Sequence, residues 1–158
     1  MTATETTAPE PSAVSDQTMQ WSDEYAIGFP QMDAVHEEFV GQLARLQMAG
    51  DAELLEQLAE FSLHCAAHFQ AEDDWMRETE FPPRDCHIDE HAAVLRSLQE
   101  VEAWLAGGDV AICRKLIAEL ADWFPRHTAH LDSALAHWMS KKNFGGKPVV
   151  LRRSLNLR

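Results

Sequence analysis

Residues 68–91 read HFQAEDDWMRETEFPPRDCHIDEH. His68 and Glu72 lie four residues apart, and so do His87 and His91. Successive helical residues turn by about 100°, so the members of each pair sit roughly 40° apart on one helical face. Phe81-Pro82-Pro83 stands between the pairs, and proline blocks helix continuation. The stretch therefore predicts two helices joined by a tight turn and packed as antiparallel neighbours. All four side chains then reach one level of a shared core. A chain that must bring these two faces together is restricted to a helical hairpin or to a bundle built on one.

The flanking sequence supplies the bundle. From Met32 to Met48 apolar residues recur at three and four (Met32, Val35, Phe39, Leu43, Leu46), which predicts an amphipathic helix ended by Gly50. Asp51 is the expected cap of a second helix reaching Thr79, with Leu54, Leu55, Leu58, Phe61, Cys65, Phe69 and Met76 as its apolar positions. Asp85 is the expected cap of a third, ending at Gly107-Gly108, and Asp109 of a fourth, ending near Lys142. No strand pattern of useful length occurs. The expectation is an all-α, antiparallel up-down-up-down four-helix bundle over residues 21–142 with an irregular N-terminal arm, WSDEYAIGFP, where Gly28 and Pro30 oppose a helix. Residues 1–20, rich in Thr, Ser, Pro and Ala, read as a disordered leader. Residues 143–158 read as a basic C-terminal tail.

Charge and cysteine usage narrow the function classes. The chain carries a net charge of −13, which repels phosphates and argues against nucleic acid as a partner. Six basic and no acidic residues follow Ser133, so the tail is solvated or serves a partner. No apolar run approaches the roughly 20 residues of a membrane span. The leader lacks the basic start and apolar core of a secretion signal. Cys65, Cys86 and Cys113 are odd in number and scattered, which does not suggest a disulfide framework. A cytoplasmic location is expected.

Imidazoles and carboxylates converging in a helical core point to metal. Imidazole suits iron, zinc, copper and nickel, and mixed His/carboxylate sets build dinuclear centres inside bundles. One such pair on a helix is weak; two across one hairpin are stronger, because unpaired buried imidazoles and carboxylates are costly without a cation. The first helix offers His36, in MDAVHEEF, and the fourth offers His127, His130, Asp132 and His137, in WFPRHTAHLDSALAH. A zinc site built from Cys86, His87 and His91 would leave His36, Glu72 and His127 unexplained.

MDAVH, HFQAED, HIDEH and WFPRHTAHLD, with Trp21, Tyr25 and Gly28 leading in, together resemble the hemerythrin family, bacterial single-domain members above all. The resemblance covers roughly Trp21 to Met139 and fills seven ligand positions in order: His36, His68, Glu72, His87, His91, His127 and Asp132. It implies a non-haem di-iron centre, oxo- or hydroxo-bridged, that binds O2 reversibly. One iron would take His87, His91 and His127, the other His36 and His68, with Glu72 and Asp132 bridging. Counting ligands leaves one place open on the two-histidine iron, where O2 would bind. Di-iron oxygenases of ferritin-like bundles use carboxylate-rich shells; five imidazoles with two carboxylates favour reversible binding over O–O cleavage. The resemblance thus implies an oxygen carrier, store or delivery protein and not an enzyme, with minor peroxidase-like activity left open. The alternatives are a sensor of O2, NO or redox state acting through a signalling partner, or a di-iron enzyme such as a peroxidase or NO reductase. An oxygen-consuming enzyme is the expected partner of a carrier.

The family pattern selects Asp132 although His130 rivals it on spacing. His127 and Asp132 are five apart, about 140° on a regular α-helix. A π-bulge between Asp122 and Asp132, eased by Pro125, would bring them together. His130 is then a surface or outer residue. Ile27, Phe69, Trp123 and Phe124, with Trp21, are candidates for the apolar wall of the O2 pocket. His64 is a candidate for a residue supporting the ligands or lining the approach, or else a hydrogen-bonded core histidine.

Overall fold

Pro30 opens the first helix, where its missing N–H costs nothing, and α1 runs Pro30–Met48 in a computed structural model that describes residues 17–144. The chain continues as α2 (Leu54–Glu78), α3 (Arg84–Ala106) and α4 (Val110–His127), then a π-helical turn (Thr128–Asp132) and α5 (Ser133–Phe144). No strand occurs among the described residues. Each of the first three helices packs on the next in sequence, and α1 also meets α4, closing the bundle that the periodicity predicts. Leader residues 1–16 and tail residues 145–158 lie outside the described residues. Residues 17–19, placed in the leader by composition, lie on α1: the Met19 N–H donates to Gln47 Oε1 at 2.7 Å.

The arm is pinned by one carboxylate. Asp33 accepts from the N–H groups of Ile27 (2.8 Å) and Gly28 (3.1 Å). Gly28 has φ 82°, a left-handed conformation that favours glycine. Trp21 and Tyr25 then pack toward the bundle, Tyr25 meeting Phe124 edge-on at 5.6 Å.

Two of the three expected caps are corrected. Asp51 does not cap α2; its carboxylate takes the Arg114 guanidinium at 2.8 Å, and Glu53 accepts the Gly50 N–H instead. Asp85 lies inside the first turn of α3, whose N-cap is Pro83. Asp109 caps α4 as expected, accepting from the Ile112 N–H at 3.1 Å. Leu55 also faces outward, 44% exposed, because adjacent helical residues diverge by about 100° and Leu54 holds the inward place.

The main core joins Phe39, Leu43, Leu58, Phe61, Phe69, Leu98, Ile117 and Phe124. A second cluster of Ile27, Phe29, Met32, Met76, Phe81, Leu135 and Met139 fills the other end. Leu98 is fully buried, so Leu98→Ala is expected to cost about 2–5 kcal/mol through lost burial and a cavity, as read by urea denaturation. A loss under about 1 kcal/mol would mean that the site collapses to fill the gap.

Candidate metal centre

Between the two clusters lies a layer of buried polar side chains: His36, His68, Glu72, His87, His91, His127 and Asp132. α1 supplies the first, α2 the next two, α3 the following pair, and the end of α4 with its π turn the last two. All seven residues that the sequence nominated meet here. The π turn is what admits Asp132: the Ser133 N–H reaches back five residues to the Thr128 carbonyl. That extra residue per turn brings Asp132 Oδ1 to 3.2 Å from His127 Nε2. The expected bulge is therefore present, at residues 128–132, just beyond Pro125.

The two carboxylates are divided in the same way. Glu72 turns Oε1 to His68 (2.9 Å) and His36 (3.5 Å), and Oε2 to His91 (3.2 Å) and His87 (3.5 Å). Asp132 turns Oδ2 to His36 (3.1 Å), and Oδ1 to His87 (3.0 Å) and His127 (3.2 Å). The imidazoles thus fall into a group of three and a group of two, with one oxygen of Glu72 and one of Asp132 on either side.

The donor set fits cations. Both oxygens of Glu72 and of Asp132, and both ring nitrogens of His36 and His87, are buried without a hydrogen bond. Such atoms are rare in native folds unless another ligand completes them. Two donors each about 2.1 Å from one ion and at right angles lie about 3 Å apart, the separation seen here. Two groups of residues can each hold an ion: Glu72, His87, His91, His127 and Asp132 in one, His36, His68 and Glu72 in the other.

Protons partly offset the charge in this arrangement. Burial lowers the affinity of the His36 ring for a proton, but Asp132 and Glu72 outweigh it and raise the pKa to about 10. The same balance raises His87 to about 9. Burial opposes the ionised forms of Glu72 and Asp132, yet the histidines hold both carboxyls well below the usual range.

Aromatic rings pack on the histidines. Phe69 stacks on His91 (4.1 Å between centroids) and Trp123 on His127 (4.2 Å), while Phe124 meets His36 edge-on at 5.6 Å. Ile27 instead joins the second apolar cluster. A groove of about 240 Å³ between α1 and α2 reaches His68 and Glu72, lined by Met32, Val35, Ala67, Ala71 and Trp75. None of the four wall candidates lines it. His64 stands in this groove, its ring parallel to His68 at 6.3 Å and its Nδ1 3.7 Å from Glu38. Burial lowers its pKa, and neighbouring His68 adds to the effect.

His130 and His137 are exposed, and so is Cys86, which joins neither cation-holding group. A zinc site using Cys86 with His87 and His91 is thereby set aside. Sequence reasoning missed Asp73 and Glu90, whose carboxylates touch the outer nitrogens of His91 and His127. Each merely adjoins a residue of the cluster in sequence, and the contact forms only across helices.

The hemerythrin HHE cation-binding domain profile matches residues 28–138. The chain belongs to the hemerythrin family. A bacteriohemerythrin of Ralstonia nicotianae is 35% identical over 124 residues, spanning 78% of this chain and 90% of that protein. One of Aquifex aeolicus is 33% identical over 111 residues, spanning 66% of this chain and 85% of that protein. No solved structure matches. As a hemerythrin-family domain, the chain has a cluster able to bind metal in its bundle, and no described helix is long and apolar enough to cross a membrane.

Proposed function

We propose that this chain holds two iron ions and binds O2 reversibly, as a carrier, store or delivery protein of the cytoplasm, with residues 21–142 as its single functional domain. The observation that carries the reading is the split of both buried carboxylates between three imidazoles and two. His87, His91 and His127 would hold one ion, His36 and His68 the other, with Glu72 and Asp132 shared. When bound, the iron pair supplies two electrons to O2 and takes them back on release.

The chain's own residues supply the surroundings. Phe69, Phe124 and Trp123 pack against the ligand rings and keep bulk water from that side, which limits loss of the bound gas by protonation. The α1/α2 groove meets the site beside His68, in the two-histidine half, and its Met32, Val35 and Ala71 walls suit a small apolar gas. Five imidazoles against two carboxylates favour a carrier over an oxygenase.

The test is an optical spectrum of the iron-loaded, anaerobically reduced chain before and after O2 is added. A colourless form that gains a visible band with O2 and loses it under vacuum is the expected result. A chain holding a single zinc, with no such band, overturns it; sustained turnover with peroxide or NO would move the assignment to an enzyme.

A further inference from the structure

Two of the five site histidines carry a carboxylate on their outer nitrogen. His91 Nδ1 lies 2.7 Å from Asp73 Oδ1, and His127 Nδ1 lies 3.1 Å from Glu90 Oε2. A carboxylate oxygen accepts, so each ring donates through Nδ1–H. In the neutral ring this leaves the Nε2 lone pair, and both Nε2 atoms face the cluster, 3.3 Å from each other. Glu90 is held in turn: its Oε1 accepts from the Trp123 indole N–H at 3.2 Å, and the Trp123 ring stacks on His127. One side chain of α3 thus clamps two residues of α4 that lie one turn apart.

Both braced rings belong to the group of three. In the group of two, both nitrogens of His36 are buried without a hydrogen bond, and among the described residues the only carboxylate within reach of His68 is Glu72 itself. The asymmetry is therefore in the supporting residues as well as in the ligand count. A carboxylate behind an imidazole fixes its tautomer and orientation and makes it a stronger donor, and losing that partner typically costs about 10–100-fold in metal affinity.

We propose that Asp73 and Glu90 are positioning residues that brace the three-histidine half of the centre and leave the two-histidine half unbraced, so that the two positions hold their ions with different strength. The inference rests on the two-ion reading above. The braced position fills first and empties last. The unbraced one, beside the groove, is the position that exchanges.

Cobalt(II), added anaerobically to the metal-free full-length chain and followed by its visible absorption, resolves the two steps without reference to O2. The parent chain is expected to bind two equivalents in separable steps. Glu90→Ala and Asp73→Ala should each weaken the tighter step by about 10–100-fold and leave the weaker step unchanged. Glu90→Gln keeps an acceptor oxygen without the charge and should recover part of the loss. Trp123→Phe keeps a ring on His127 but frees Glu90, and should weaken the same step by less than Glu90→Ala. An unchanged tighter step, or equal weakening of both, overturns the proposal. A parent chain that does not bind two ions overturns the two-ion reading, and this proposal with it. Should an alanine variant fail to fold, the glutamine and phenylalanine variants decide the matter alone.

Discussion

Glu72→Gln is expected to strip the centre of both ions. Glu72 is common to the two cation-holding groups, and its two oxygens face opposite sides of the site. Glutamine matches its size and keeps one oxygen. It turns an NH2 donor toward ring nitrogens and removes a charge that no other buried group replaces. Two divalent ions would then face one buried carboxylate, Asp132. Removing one partner of a buried charge pair costs about 3–5 kcal/mol, some hundreds- to thousands-fold in affinity. Metal analysis after dialysis should fall from two ions per chain toward none, with the helical far-ultraviolet signal retained. Asp132→Asn, which spans His36, His87 and His127, should behave alike. Retention of two ions by the Glu72 variant would remove Glu72 from the ligand set.

The second large effect is thermal, and its sign depends on pH. In the metal-free chain the raised pKa values of His36 (about 10) and His87 (about 9) lie above the ordinary 6.5. A group whose folded pKa is raised stabilises the fold below its unfolded pKa, and that contribution is lost as pH rises through the folded value. Glu72 and Asp132 are shifted down, so their contribution is present above the ordinary carboxylate range and lost as pH falls. The metal-free fold therefore gains most from these groups between the ordinary carboxylate range and pH 6.5, and it weakens toward pH 9–10. Metal binds neutral imidazoles and releases their protons, so the metal-bound fold does not share the alkaline loss. Metal present at about a thousand times its dissociation constant stabilises by about 4 kcal/mol. For a chain of this size that is a rise in Tm of roughly 8–16 °C. The gap between metal-loaded and chelator-treated protein should widen between pH 6 and pH 9. A gap that stays constant or narrows would mean that the histidines are already neutral before metal arrives.

The core and the site were legible to different depths. Helix positions in the chain followed from periods of three and four in apolar residues, and the proline and glycine breaks marked the turns. Cap choice was less legible. Asp51, Asp85 and Asp109 look alike in sequence, but Arg114, 63 residues away, takes the first, and α3 starts one residue before the second. The apolar surroundings of the cluster were legible only in part. Phe69, Trp123 and Phe124 do pack on the clustered histidines, yet the groove that reaches His68 and Glu72 runs past Met32, Val35, Ala67, Ala71 and Trp75. Each helix's share of the groove has one-turn spacing (Met32 with Val35; Ala67, Ala71 and Trp75), but which two faces meet is set by how α1 and α2 pack.

By itself the spacing put His68 with Glu72 and His87 with His91 on shared faces, and the resemblance to the hemerythrin family added His36, His127 and Asp132. One-turn spacing sets a shared face, whereas His127 and Asp132, five apart, share one only through a π turn, and on spacing alone His130 rivals Asp132. Tertiary packing alone decided how the seven are arranged: which oxygen of Glu72 and Asp132 faces which imidazoles, and which imidazoles have a carboxylate behind them. Side chains on one helix are related by a fixed 100° step, which a sequence carries. Contacts between Asp73 and His91, or Glu90 and His127, depend on the separation and rotation of two helices, and many distant residues set these together.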